Sequence, residues 1–478
     1  MNVKEILQTT FSHEGFLGLQ EQVINRIIAS EEGHCLVLMP TGGGKSLCYQ
    51  VPGLCLDGGT LVISPLISLM KDQVDALRNK GVKAAYINST VSSGKRKSIL
   101  DEFVYGKIKF LYVTPERFSK EDFRYKIKRA SIGLLAIDEA HCISQWGHDF
   151  RPDYSRMGEI RELLGSPRTV ALTATATEPV QKDIIKNLKL HETQMKIFHQ
   201  GIKRPNLRLE ADEYMSDSEK IDEILRIYKS IQGSGIVYFS LIKTLNYFSE
   251  KLDQLKIPHF VYHGKLENNE RKRVQNMFME SQSLILATNS FGMGIDKSDI
   301  RYVIHGEIPG SLESYYQEIG RSGRDGKDSL CKMLYSQDDL TTHMEFIKWS
   351  NPDPSFLKKL HFLLKNKERE VHSFGREYVE NQLFYKNRFD FRLDTGLSLF
   401  ERNHVTSGTL GERNIKVLQE KLPEKLLDLQ LYGEKLMSDQ KKLLAIVEYF
   451  RTEKCRRQEI ESYFGFNDEP DCHNCDNC

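Results

Sequence analysis

Residues 133–154 read Gly133-Leu-Leu-Ala-Ile-Asp138-Glu139-Ala-His141-Cys-Ile-Ser-Gln-Trp146-Gly-His148-Asp-Phe150-Arg151-Pro-Asp-Tyr154. From Gly133 to Ile137 the run is apolar without alternation, the pattern of a strand buried on both faces of a parallel sheet. Two acids, Asp138 and Glu139, follow its end. Carboxylates in that position can hold Mg²⁺ and polarise an attacking water. The next residues crowd Trp146, His148, Phe150 and Arg151 into one short loop. Stacking groups and a cation beside a hydrolysis centre would couple that hydrolysis to a nucleic-acid strand. Taken alone, the loop also reads as a surface turn around a buried tryptophan.

A second stretch makes a nucleotide the expected substrate. The apolar run Cys35-Leu-Val-Leu38 leads into Met39-Pro-Thr41-Gly42-Gly43-Gly44-Lys45-Ser46. Consecutive glycines let backbone N–H groups turn inward around phosphate oxygens, and the start of a following helix adds the positive end of its dipole. Lys45 would reach the β- and γ-phosphates, and Ser46 would ligate Mg²⁺. The general pattern has glycine where Met39 stands. A plain glycine-rich turn is the competing reading, and the acids downstream argue against it.

Other strand-like runs alternate with polar helical stretches: Thr60–Ser64, Lys109–Thr114 and Thr169–Thr173. That order predicts a doubly wound parallel sheet, with working residues at the carboxyl ends of its strands. Each run does end in a polar signature: Ser64-Pro-Leu, Thr114-Pro-Glu-Arg and Thr173-Ala-Thr175. A second alternating unit covers Gly235–Ser240, His259–His263, Ser283–Thr288 and Ile300–His305. With 478 residues and 40% hydrophobic content, the chain can build about three cores. Net charge is +1, so any nucleic-acid surface must be local. No apolar run is long enough to span a membrane, and no signal-peptide core begins the chain. Nine cysteines in such a chain point to reduced thiols or metal ligands rather than disulfides.

The motifs together resemble the RecQ family of superfamily 2 helicases. They are the phosphate loop, Ser64–Gln73, Asp138-Glu-Ala-His141 with its aromatic loop, and Ala171–Ala176. In the second unit they are Tyr262-His-Gly264, Ala287–Lys297 and Gln317-Glu-Ile-Gly-Arg321-Ser-Gly-Arg324-Asp-Gly326. The resemblance implies two tandem RecA-like domains, over residues 1–205 and 206–345. It implies ATP-dependent, 3′-to-5′ movement on DNA in repair or recombination. Asp138 would ligate Mg²⁺, Glu139 would activate water, and Thr173 and Thr175 would relay nucleotide state. Gln317, Arg321 and Arg324 would complete catalysis, with Asp296 at the ribose or the cleft between domains. Arg321 and Arg324 read in isolation as a solvated helix end. Trp146, His148, Phe150, Arg151, Ser64 and Thr114 would face DNA; for Ser64 and Thr114, helix capping is the other reading. Gln20 would hydrogen-bond adenine. The family's neighbouring arginine is replaced by Leu17, and its usual alanine between the paired Gly-Arg units by Ser322. The second unit's first turn also departs from the family, leaving Ser240 or Lys243 for the DNA backbone.

The C-terminal segment carries Cys455, Cys472, Cys475 and Cys478, spaced C-x₁₆-C-x₂-C-x₂-C. Four thiolates so placed suit a structural Zn²⁺, with His473 as a substitute ligand and an iron–sulfur cluster as the other four-cysteine option. Leu443–Cys455 reads as the helix delivering the first ligand, inside a zinc subdomain over residues 441–478. Residues 346–440 form an inserted module, either winged-helix-like and DNA-binding or a plain packing domain. There Phe356, Leu360, Phe362 and Leu363 predict a helix. Phe389, Phe391, Leu397, Leu399 and Phe400 predict short strands, and Ile415, Leu418, Leu422, Leu426 and Leu429 more helix. With Cys478 last, the winged-helix and small helical domains usual in the family are not expected to follow.

The partners implied are single-stranded DNA and forked or tailed duplex, with a single-strand-binding protein or repair factors beside them and no membrane. A bacterial source would imply a cytoplasmic, nucleoid-associated location. An RNA helicase and a strand-annealing protein with an ATPase switch remain the alternatives.

Overall fold

Unbroken apolar runs form the middle of each sheet, because only such runs can be covered on both faces. The computed structural model describes every residue except 1, 30–32, 66, 89, 145–151, 200, 293, 294, 296, 384–389 and 467–469, together with the side chains of 68 and 152. The chain divides into two compact units, residues 1–335 with 449–478, and residues 336–448.

In the first unit, β1 (His34–Leu38), β2 (Gly59–Ile63), β3 (Ala84–Ile87), β4 (Phe110–Val113), β5 (Ile132–Ile137), β6 (Arg168–Thr173) and β7 (Met195–His199) build one sheet. Its order is β3-β4-β2-β5-β6-β1-β7, and every pairing is parallel. A second sheet holds β8 (Leu207–Glu213), β9 (Ser234–Phe239), β10 (His259–Tyr262), β11 (Leu284–Thr288), β12 (Ile300–His305) and β13 (Ser329–Tyr335). Its order, β10-β11-β9-β12-β13-β8, is also wholly parallel. Crossover helices pack on the sheets; Val23, Ile24, Tyr49, Val51, Met70 and Val74 close one face of the first.

At one edge of the second sheet the apolar rule breaks. β8 alternates, burying Leu207, Leu209 and Ala211 and leaving Arg208 exposed and Glu210 part-buried between them. β13, one strand inward, buries Lys332 at its centre. The ammonium reaches Asp212 (2.6 Å), Glu223 (3.0 Å) and Glu210 (3.2 Å). Burial alone would lower its pKa; the hydrogen bonds to Asp212 and Glu223 reverse that and raise it.

The second unit is mainly helical and has its own core, including Phe356, Leu360, Leu393, Phe400 and Val405. The expected helix runs from Pro354 to Asn366, capped by the Asp353 carboxylate on Phe356 N–H at 2.9 Å. Two expectations fail here. Phe391–Phe400 does not form strands: Arg392–Arg402 is a helix, burying Leu393, Gly396 and Phe400 at helical spacing. The i, i+2 pair Leu397 and Leu399 mimicked a strand, while the buried face follows the longer period. Nor is Ile415–Leu429 one helix. β14 (Thr406–Ser407) and β15 (Lys416–Val417) form an antiparallel hairpin, which Leu418 N–H extends to the Val405 carbonyl at 2.7 Å. Pro423, which lacks an N–H, then precedes a separate short helix, Glu424–Leu427. Phe389 lies outside the described residues. Among those described, no helix is long and apolar enough to cross a membrane.

Candidate nucleotide site and cysteine cluster

The loop after β1 turns on Gly42 and Gly44, both left-handed (φ +79° and +74°), where a side chain is strained. Lys45 folds back over this turn, its ammonium donating to the Met39 carbonyl at 3.1 Å. Burial lowers its pKa, while the nearby carboxylates of Glu139 and Asp138 oppose that. Ser46 opens the helix Leu47–Cys55 without capping it. Gln20 is buried with its amide tied to backbone: its carbonyl oxygen accepts Leu17 N–H (2.9 Å) and its NH₂ donates to Gly44 O (3.1 Å). Leu17, standing where the family has arginine, is exposed.

β5 delivers Asp138 opposite this loop. Ser64 Oγ donates to Asp138 Oδ2 (3.2 Å), Glu139 N–H to Oδ1 (3.1 Å), and the buried Tyr154 hydroxyl to the Asp138 carbonyl (3.2 Å). Ser64 therefore serves the acid. Thr114 holds an N-cap position, but its side chain makes no capping bond. Burial, with the Glu139 carboxylate second, raises the Asp138 pKa to about 7 against the pull of Lys45. Glu139 itself sits in the left-handed region (φ +49°), a conformation that costs energy and recurs at working sites. Its Oε2 is buried without a hydrogen bond, 3.3 Å from His141 Nδ1. His141 Nδ1 also lies 2.9 Å from Thr173 Oγ1, which donates to the Thr175 carbonyl at 3.1 Å. Excess buried negative charge and hard oxygen donors at Asp138 and Ser46 fit a divalent cation.

The second sheet closes the site. Thr41 Oγ1 donates to the Gly320 carbonyl at 2.9 Å. A Cβ on Gly320 would stand 2.3 Å from Thr41 Oγ1, so glycine is needed for that approach. The Arg324 stem passes 3.5 Å from the place a Gly42 Cβ would take, and Arg324 Nη1 donates to Ile295 O at 2.7 Å. Arg321 is buried and donates to the Gly292 carbonyl. Gln317 is half-buried on the helix Leu312–Ile319. Ser240 N–H donates to the Glu307 carboxylate at 2.7 Å, and Lys243 is exposed. Trp146, His148, Phe150, Arg151 and Asp296 lie outside the described residues. Sequence reading passed over Tyr154, the His141–Thr173 contact and Arg204. The first two lie inside quoted stretches; the third lies in a short polar stretch before β8.

The four cysteines converge with all sulfurs within 4.8 Å of one another. Tetrahedral thiolates on Zn²⁺ stand about 3.8 Å apart. Here Cys472 and Cys478 are 3.9 Å apart, and Cys475 and Cys478 3.4 Å. The helix Leu429–Arg451, longer than the expected one, leads toward Cys455. The cluster seals the β8 edge: Asp476 N–H donates to Leu209 O (3.1 Å), and Asp476 Oδ2 accepts Ala211 N–H (2.9 Å). Arg457 donates to Leu207 O at 2.8 Å.

Three family profiles match the chain: DEAD/DEAH box helicase over residues 18–184, helicase conserved C-terminal domain over 217–326, and RecQ zinc-binding over 419–478. The probable ATP-dependent DNA helicase RecS of Bacillus subtilis (strain 168) is 40% identical over 353 residues, covering 72% of this chain and 69% of that protein. The ATP-dependent DNA helicase RecQ of the same organism is 43% identical over 349 residues, 73% of this chain but 58% of the relative. The chain thus spans little more than half of that longer relative. Among solved structures, the DEAD-box helicase Mss116 bound to ssRNA and UDP-BeF superposes over 91% of this chain and 97% of that one, with TM-score 0.58 at 16% identity. At that identity the likeness concerns the fold.

Proposed function

Because the chain belongs to the RecQ family of ATP-dependent DNA helicases, we propose that it couples ATP hydrolysis to 3′-to-5′ movement on single-stranded DNA. In this reading it opens tailed or forked duplexes during repair or recombination. The observation that carries the proposal is the meeting of the two sheets at one loop: Thr41 on the Gly320 carbonyl, and Arg324 over Gly42. Lys45 from one side and Arg324 from the other would bracket the phosphates of ATP. Glu139 would accept the proton of the attacking water. Ser46 and Asp138 would hold Mg²⁺, which when bound supplies neutralising charge at the phosphates. Once the nucleotide no longer bridges the sheets, they can part and re-close, stepping along the strand. Each step competes with stacking worth about 1.4 kcal/mol per base pair. Cys455, Cys472, Cys475 and Cys478 would hold Zn²⁺ as scaffold, since four thiolates leave no open position. A cytoplasmic setting accompanies this reading for a bacterial source.

The test is ATP-driven unwinding of fluorescent duplexes with a 3′ tail, a 5′ tail, or RNA strands, with Lys45→Ala alongside. Unwinding of the 3′-tailed DNA by the wild type alone supports the proposal. DNA-stimulated hydrolysis without strand separation would replace it with a translocase or annealing switch, and preference for RNA would overturn the substrate.

A further inference from the structure

The segment joining the two sheets carries Arg204-Pro205-Asn206, and both polar side chains close on the turn that holds Arg321 and Arg324. Arg204 Nη1 donates to Gly320 O (3.3 Å), and Nη2 to Ser322 O (2.6 Å) and Gly323 O (2.9 Å). Asn206 Nδ2 donates to Gly323 O (2.8 Å) and Lys327 O (2.9 Å). Behind them, the Tyr316 hydroxyl donates to the Ile202 carbonyl at 2.9 Å. The carbonyls that Arg204 gathers follow the helix Leu312–Ile319, whose last carbonyl groups lack partners within the helix. One of them, Gly320 O, is also the acceptor for Thr41 of the phosphate loop. The connector, the arginine-bearing turn and the phosphate loop therefore meet at a single oxygen.

We infer that Arg204 is a positioning residue for ATP hydrolysis: it holds the Gly320–Gly323 turn so that Arg324 lies against the phosphate loop. The inference rests on the reading of this site as an ATPase. Arg204 would touch no phosphate; it acts through the backbone of the turn. Arginine suits the task because its rigid planar fork holds three carbonyls in a fixed arrangement from two separate nitrogens, where an ammonium is a single point on a flexible stem. Because Arg204 belongs to the connector, movement of one sheet against the other would pull on the turn directly. Displacing a catalytic group by about 1 Å costs on the order of 10²-fold in rate.

The test is steady-state ATP hydrolysis by the full chain with saturating oligo-dT. The variants are Arg204→Gln, Arg204→Lys, Arg324→Ala and the pair Arg204→Gln with Arg324→Ala. The expected result for Arg204→Gln is a fall in kcat of about 10–100-fold with KM for ATP nearly unchanged. Lys at this position should restore part of the rate, and the double variant should be no slower than Arg324→Ala alone. Thermal melting checks the fold; if Arg204→Gln melts early, Arg204→Lys takes its place in the cycle with Arg324→Ala. Multiplicative losses in the double variant, an effect on KM alone, or wild-type kcat in Arg204→Gln would overturn the inference. So would wild-type kcat in Arg324→Ala, which leaves the helicase reading standing. A wild type that does not hydrolyse ATP would overturn both, whereas hydrolysis that ignores DNA would overturn the helicase reading alone.

Discussion

Mild acid should loosen the first unit in part through the buried His34 ring, and His34→Asn should remove that part of the sensitivity. His34 opens β1 with 4% of its surface exposed. Its Nδ1 accepts Thr169 N–H at 3.1 Å, and its Nε2 lies 3.4 Å from Arg161 Nη2. Both nitrogens thus face donors, and a protonated ring has no acceptor to meet. Burial first, then the charges of Arg161, Arg26 and Arg168, depress its pKa to about 4. The unfolded chain, with a histidine pKa near 6.5, binds the proton more readily than the folded one. The stabilisation from a neutral His34 is therefore complete above about pH 6.5 and is lost as pH falls toward about 4. At about pH 5 roughly 2 kcal/mol of it has gone. With a urea dependence of about 2–3 kcal/mol per molar, the wild-type midpoint should drop between about pH 7 and pH 5 by roughly 0.7–1 M more than that of His34→Asn. Asn keeps an acceptor for Thr169 N–H and does not titrate. The readout is far-UV circular dichroism during urea titration at the two pH values. Equal drops in both proteins would refute the assignment.

Glu139→Gln keeps the shape of the turn and removes the proposed base. Hydrolysis should fall about 10²–10⁴-fold while a fluorescent ATP analogue still binds, which single-turnover and binding titrations separate; a change confined to binding would contradict the role. Cys475→Ser should abolish a one-per-chain zinc content measured with a chromogenic chelator. Because structural Zn²⁺ carries about 10–16 kcal/mol of apparent binding energy in small peptides, limited proteolysis should then cut within residues 449–478; full protection would show that the cluster is not what orders them.

Most of the strands read in advance lie inside the sheets; β10, read from His259–His263, is the exception at an edge. β1, β2, β5 and β9 are covered on both faces or nearly so, and their apolar runs announce it. β7 and β8 lie at edges, where solvent tolerates charge, so their sequences carry no comparable run. β13 escaped for a different reason. Lys332 interrupts its apolar pattern, and it is buried only because Asp212 and Glu223 on other elements receive its ammonium. The hairpin depends on pairing Thr406 with Val417 and Ser407 with Lys416, a signal that Ile415 and Leu418 obscured by their helical spacing.

The chemistry divides in the same way. Phosphate loops and metal-binding acids are local devices: glycine placement, a lysine and two carboxylates are written within a few residues, so Gly42, Gly44, Lys45, Asp138 and Glu139 were legible as letters. The cysteine spacing was legible likewise, because ligand geometry limits the residues between ligands. What tertiary structure decided is which groups face each other. It placed Gln20 on the backbone of the phosphate loop, gave Ser64 to Asp138, and set His141 between Glu139 and Thr173. It also brought Arg204 and Thr41, 163 residues apart in the chain, to one carbonyl at Gly320. Hydrogen-bond partners distant in sequence leave no periodicity and no composition signal, because their pairing energy appears only after both sheets have folded and the connector between them has closed.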